Sequence, residues 1–204
     1  MKHSNQRIRQ LAGAFADAIP SVDETATHSR WKPGIGPFEE ENQIEMIRRE
    51  VEQRAAIGET IKYEEPYPDS NRRVDLLLKN NRDPLPIEAK LIRFRRDNGN
   101  IDPNMYKSVF SPFPERSSSS MLTDCQKLAE SGFGFPCGVL GLYYERNNEE
   151  YEKLRADSIA EKFTRDVEYW YDIPIETVCI ESFSGLRHPH HQHGAVIGWE
   201  LTEP

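Results

Sequence analysis

The 204-residue chain has little of several things. It carries three cysteines, Cys125, Cys137 and Cys179, an odd number with no Cys-x-x-Cys pair. That argues against a disulfide scaffold or a cysteine-based zinc site and fits a reducing, cytoplasmic setting. No apolar run approaches the roughly 20 residues that a membrane helix needs. Residues 11–16, behind Lys2, Arg7 and Arg9, loosely mimic a secretion signal, but Asp17 cuts the stretch short, and an amphipathic first helix is expected instead. Positive charge is also scarce: 26 Lys and Arg face 34 Asp and Glu, a net charge of −8. A protein that holds nucleic acid by bulk charge is thereby excluded, and any such site must be a local basic patch or work through metal ions. Gly-x-Ser-x-Gly and Walker A loops are absent.

Aromatic residues, by contrast, are plentiful, with 9 Phe, 8 Tyr and 3 Trp. They can build a core, which argues against disorder of the whole. A chain of this length suits one domain, or one domain with an extra arm.

Residues 5–19 read as a short helix and 20–37 as linker, rich in Pro and Gly. Phe38, Ile44, Ile47, Val51 and Ala55 then fall near helical spacing until Gly58. Three strand-like segments follow at 60–63, 73–78 and 85–92, the last two joined as a hairpin by the turn at 80–84. The Pro/Ser-rich stretch 108–120 reads as a loop, 121–131 as a helix and 136–144 as a buried strand. A long helix is expected over 148–171, opened by Glu149 and Glu150, which suit the helix dipole. Two strands, 177–183 and 195–201, close the chain around a His-rich turn. The expected organisation is an N-terminal helix and linker (1–36) ahead of one α/β domain (37–204). Its core spans 37–145, and a C-terminal helix and hairpin span 148–204.

The informative segment is Asp75 with Glu88, Ala89 and Lys90. In a strand, residues two apart share a face, so Glu88 and Lys90 point one way and Ile87, Ala89 and Leu91 the other. Asp75, between Val74 and Leu76, is costly to bury unless a charge meets it. Two carboxylates from neighbouring strands and one ammonium suit a magnesium phosphodiesterase. Carboxylate oxygens hold the ion, phosphate and water oxygens complete its octahedron, and the lysine orients water or stabilises transition-state charge. Glu88-x-Lys90 is the only acidic-x-Lys triplet in the chain, despite 34 acidic residues.

This pattern resembles the PD-(D/E)XK nuclease superfamily, with its restriction-endonuclease-like fold. The family order α-β-β-β-α-β, with Asp on the second strand and (D/E)xK on the third, matches the reading of residues 37–144, about half of the chain. The resemblance implies a three-layer α/β/α core with a mixed central sheet. It also implies Mg²⁺- or Mn²⁺-dependent hydrolysis of DNA phosphodiesters by in-line attack of a metal-activated water. Asp75, Glu88 and the Ala89 carbonyl would bind the metal, and Lys90 would be catalytic. The family's Pro before the Asp is replaced here by Val74. A Pro68–Asp69 pair exists but suits the role less well, lying ahead of the strand.

Members of the superfamily often add an acidic residue from the first helix. Glu39, Glu40 and Glu41 open that helix here, and Glu40 shares a face with Ile44 and Ile47. Its alternative role is favourable charge at a helix N-terminus. Arg72 and Arg73 ahead of Asp75, and Arg93, Arg95 and Arg96 beyond Lys90, form either a phosphate clamp or a solvated basic face. Lys127, on the helix after the (D/E)xK strand, is a candidate contact to the DNA backbone. His188, His190, His191 and His193 are read as a Pro-containing hairpin tip, a DNA-contacting or oligomer loop, or a transition-metal site. They lack the setting of an HNH nuclease, and this ending is similar to those of uncharacterised bacterial restriction-endonuclease-like proteins. Double-strand cutting implies a homodimer, through the N-terminal helix or the C-terminal hairpin. The rival expectation is a nucleic-acid-binding or assembly subunit that keeps the fold without cutting.

Overall fold

The computed structural model describes residues 6–30, 32–68, 70–80, 83–96, 98, 100–113, 119–146 and 151–204. The first helix, α1 (Arg7–Thr25), runs through Pro20 rather than stopping before it. A proline inside a helix removes one hydrogen bond and is normally a stop. Here tertiary contacts hold the last turn. Val22 and Asp23 are buried, and the Asp23 carboxylate accepts the backbone N–H of Ile35 at 2.9 Å and of Arg187 at 2.8 Å. Gly34 lies beside this carboxylate at φ +108, and a Cβ there would come within 2.5 Å of Asp23 Oδ1, so the position needs glycine.

The second helix, α2 (Glu40–Gln53), begins two residues after Phe38, where the helical spacing was expected to start, and is anchored by buried Ile44, Ile47 and Val51. Three strands follow, β1 (Thr60–Pro66), β2 (Arg73–Lys79) and β3 (Leu85–Ile92). Then come α3 (Pro103–Phe110), α4 (Met121–Ala129) and β4 (Cys137–Glu145). The α3 helix enters a stretch read from the sequence as loop. Its start is nevertheless written locally, since Asp102 caps it by accepting the Asn104 N–H at 3.0 Å, and Pro103 occupies the first turn. A 3₁₀ turn at Glu152–Leu154 precedes α5 (Ala156–Tyr171), which starts later than the expected residue 148. Glu149 and Glu150 lie outside the described residues. β5 (Ile175–Ser184) and β6 (His193–Leu201) complete the chain.

The strands form one six-stranded mixed sheet in the order β1-β2-β3-β4-β6-β5. Among the described residues, only β3 and β4 pair in parallel. A parallel pair needs a crossover, and α3 and α4 lie in it. On one face, Ile8, Leu11, Phe15 and Ile47 from α1 and α2 pack with Leu76, Ile87, Ala89 and Leu140. On the other, Leu122, Leu128 and Phe163 from α4 and α5 pack with Leu77, Ile92, Val139 and Trp199. Burial on both faces explains the near-continuous apolar runs of β2 to β4. The chain is therefore α/β, a mixed sheet flanked by helices. The N-terminal helix, expected as an arm ahead of residue 37, packs on α2, β5 and β6 and shares their core.

Candidate active site

The register Leu76↔Ile87 of the β2–β3 pair carries Asp75 to the position opposite Glu88. Residues opposite one another in an antiparallel pair point to the same face. Regular pairing ends at Leu76 and Ile87, and beyond it the Ala89 N–H donates to Asp75 Oδ2 at 2.7 Å. A side-chain carboxylate thus takes the place of a backbone partner where the strands part. On the other side of β2, pairing skips from Tyr63↔Leu76 to Glu65↔Val74, and the intervening Glu64 has φ +50. Arg73 donates to the Glu64 carbonyl at 2.6 Å. The sheet is irregular on both sides of Asp75.

Beyond the effect of burial, the two carboxyls interact closely enough that Glu88 raises the Asp75 pKa. Burial first, and then the charge of Glu88, push the Asp75 pKa up to about 7, against the pull of the Ala89 N–H and Lys127. Glu88 is buried, and its Oε1 accepts from the Tyr67 hydroxyl and from Lys127 Nζ at 2.7 Å. Burial and Glu88 hold the Tyr67 pKa above its ordinary value, so the phenol stays a neutral donor. The Lys127 ammonium also lies 5.4 Å from the centre of the Tyr67 ring. Asp124, one helical turn before Lys127, is 3.8 Å from its ammonium through Oδ1, a buried atom with no hydrogen bond. Burial raises its pKa against the opposing pull of Lys127 and Lys90.

Glu40, the first residue of α2, spans the site from the opposite layer. Its Oε2 accepts the Leu91 N–H at 2.7 Å and its Oε1 meets Lys90 Nζ at 3.2 Å. The start of α2 is fixed by buried Gln43, which donates to the Phe38 carbonyl at 2.7 Å and accepts from the Tyr144 hydroxyl at 2.7 Å. Burial opposes the charge on Lys90, but Glu40, Asp124 and Asp75 outweigh it, and its pKa lies above the ordinary lysine value.

Asp75, Glu88, Lys90 and Glu40 are thus brought together, and Ala89 joins them through its N–H. Lys127, expected as a contact to the DNA backbone, ion-pairs with Glu88 at 2.7 Å. Asp69 lies outside the described residues. Arg72 and Arg73 are exposed beside the start of β2. Arg93 donates to the Gly36 carbonyl at 2.7 Å, and the Arg95 guanidinium stacks 5.2 Å from the centre of the Tyr151 ring. Arg93, Arg95 and Arg96 line a separate cleft with His191, beyond the end of β3.

Tyr67 and Asp124 escape the sequence reading. Tyr67 belongs to no motif, whereas Asp124-x-x-Lys127, an acid–base pair one turn apart beside apolar Leu122 and Cys125, was a readable signal.

The His-rich turn is not a free tip. Arg187 ties it to the end of α1 through Asp23 and the Ala26 carbonyl, the latter at 2.7 Å. His188 and His191 are buried with rings stacked 4.6 Å apart, and His191 crosses the Tyr144 ring at 5.3 Å. A Cβ on Gly36 would come within 2.7 Å of the His191 Cβ, so the neighbouring loop is pressed against the turn. Among the described residues, no three His, Cys, Asp or Glu side chains gather as a ready metal cage. No helix among them is long and apolar enough to cross a membrane.

No protein-family model matches the chain, and no curated protein or solved structure matches it either.

Proposed function

We propose that the chain is a divalent-metal-dependent DNA endonuclease of the PD-(D/E)XK type. The observation that carries this reading is the charge of the site. The carboxyls of Asp75, Glu88, Asp124 and Glu40 face two ammoniums, those of Lys90 and Lys127. A formal excess of two negative charges in a largely buried place is expensive, and one dication would balance it.

The donors fit Mg²⁺ or Mn²⁺. They are hard carboxylate oxygens, and Asp124 Oδ1 is a buried acceptor with no hydrogen bond. Two abutting carboxyls are enough protein ligands for Mg²⁺, which usually keeps several waters, so an all-protein cage is not needed. Bound there, the ion would polarise a phosphodiester and lower the pKa of a coordinated water.

The chain's own residues would divide the remaining work. Lys90, kept protonated by its carboxylate neighbours, stabilises charge building on the phosphoryl oxygens. Glu40 positions that ammonium and ties it to the Leu91 N–H. Lys127 and Tyr67 fix the orientation of Glu88, and the Ala89 N–H fixes that of Asp75. Cutting both strands would require two such sites, hence a homodimer.

Supercoiled plasmid incubated with Mg²⁺ or Mn²⁺, with EDTA, and with the Lys90→Ala variant tests the reading. Metal-dependent nicking that the variant loses supports it. The rival, a non-cutting nucleic-acid-binding or assembly subunit, is favoured by the net charge of −8, which disfavours free DNA binding. Binding without nicking across metals and substrates would select the rival.

A further inference from the structure

A second concave site lies at the same end of the sheet. Antiparallel β2 begins where β3 ends, so Asp75 sits toward the end from which Arg93, Arg95 and Arg96 extend. β4 ends and β6 begins there too, with Glu145 paired to His193. Between these strand ends and the His-rich turn is a cleft of about 260 Å³. Arg95 and Arg96 enter it from beyond β3, Arg146 from the end of β4, and His190, His191 and His193 from the turn. Arg95, Arg96 and His191 also line the adjoining cleft toward Arg93, so the two form one basic channel.

Among the described residues, the acidic groups in the channel are few. Glu145 lines the first cleft, and Asp102 lines the second, ion-paired to Arg96 at 3.1 Å. Arg93, Arg95, Arg96 and Arg146 outnumber them, in a chain whose net charge is −8. The wall is also held in place. The Arg187–Asp23 tie fixes the turn, the stacked His188 and His191 fill its interior, and His190 stays exposed. Guanidinium forks and imidazoles on a rigid wall are the donor set for phosphate oxygens.

We propose that this channel binds a backbone phosphate of a nucleic-acid strand, a few nucleotides from the phosphodiester at Asp75 and Glu88. The placement of the strand rests on the nuclease reading, whereas the phosphate site does not. From Lys90 to Arg95 the chain spans at most about 17 Å even when fully extended, a reach of a few nucleotides.

The test is fluorescence anisotropy of a labelled 15-nucleotide single strand in EDTA, with and without a 5′-phosphate, against wild type and Arg96→Gln/Arg146→Gln. Arg96 and Arg146 are both exposed, so the double variant should keep its fold, checked by an unchanged melting temperature. The expected result is at least ~10-fold weaker binding by the double variant and a salt dependence shallower by about one to two phosphate contacts. Unchanged affinity in the double variant, or no binding by wild type, overturns the proposal. Inorganic phosphate that binds the cleft while the oligonucleotide does not overturns the strand assignment. Arginine-dependent binding by a protein that never nicks upholds the channel and removes the nuclease reading. A preference for the 5′-phosphorylated strand assigns the bound phosphate to a strand end, and equal binding assigns it to the internal backbone.

Discussion

The carboxylate site between β2 and β3 and the His-rich turn between β5 and β6 both gather ionisable side chains at one end of the sheet. In the turn, charge is matched and converted into structure. Asp23 meets Arg187 and two backbone N–H groups, and two imidazoles stack on each other, one of them, His191, meeting the Tyr144 ring edge-on. At the split between β2 and β3, four carboxyls face two ammoniums, and burial, with the charge of Glu88, pushes the Asp75 pKa up to about 7. A cluster whose charges are satisfied stabilises a fold, whereas a buried cluster left with unmatched charge is poised for a ligand. By that measure the four histidines, the more conspicuous group in the sequence, are the less reactive one.

The largest expected effect falls on the unbalanced side. Lys90→Ala should lower metal-dependent nicking by at least ~100-fold with the far-ultraviolet circular dichroism unchanged, as for loss of a donor to transition-state charge. Retained nicking would erase the distinction between the two clusters. Next, Asp23→Ala leaves the Ile35 and Arg187 N–H groups unpaired and should cost about 3 kcal/mol in urea unfolding, while Glu40→Gln should cost much less.

The third effect is on pH. The folded-state pKa of Asp75, pushed up to about 7, lies above its ordinary 3.8. The folded state therefore holds this proton more tightly. Its contribution is fully present below about pH 4 and is lost as pH rises toward 7, with a limiting slope of about 1.4 kcal/mol per unit. Melting temperatures at pH 5 and pH 7.5 in EDTA should fall with rising pH in wild type and stay flatter in Asp75→Asn. Added Mn²⁺ should recover the loss at pH 7.5 only where Asp75 is present. The smallest effect belongs to the turn: His190→Ala, at an exposed position, should change stability by less than about 0.5 kcal/mol.

The hairpin and its site were largely readable because their signals are local. Glu88 and Lys90 alternate with Ile87, Ala89 and Leu91, and a lone Asp75 interrupts an apolar strand. The core α/β pattern followed from the same periodicities. Glu40 came from its place on the α2 face, and its bond to the Leu91 N–H fits that place. The reading failed where distant segments decide. Pro20 looks like a helix stop, but Asp23 is held by residues 12 and 164 positions away. The ion pair of Lys127, on α4, with Glu88, on β3, likewise had no local signal.

Strand alternation, helix spacing and the single acidic-x-Lys triplet determined by themselves the α/β character, the β2–β3 hairpin and which three side chains share one place in it. Those signals act over two to four residues, the range in which backbone geometry sets direction. Tertiary structure alone decided that Tyr67, Asp124 and Lys127 close around Glu88, that α1 outlasts its proline, and that the histidines back a basic channel. Each of these depends on burial and charge pairing between segments far apart in the chain, where the energy is set by desolvation rather than by local conformation.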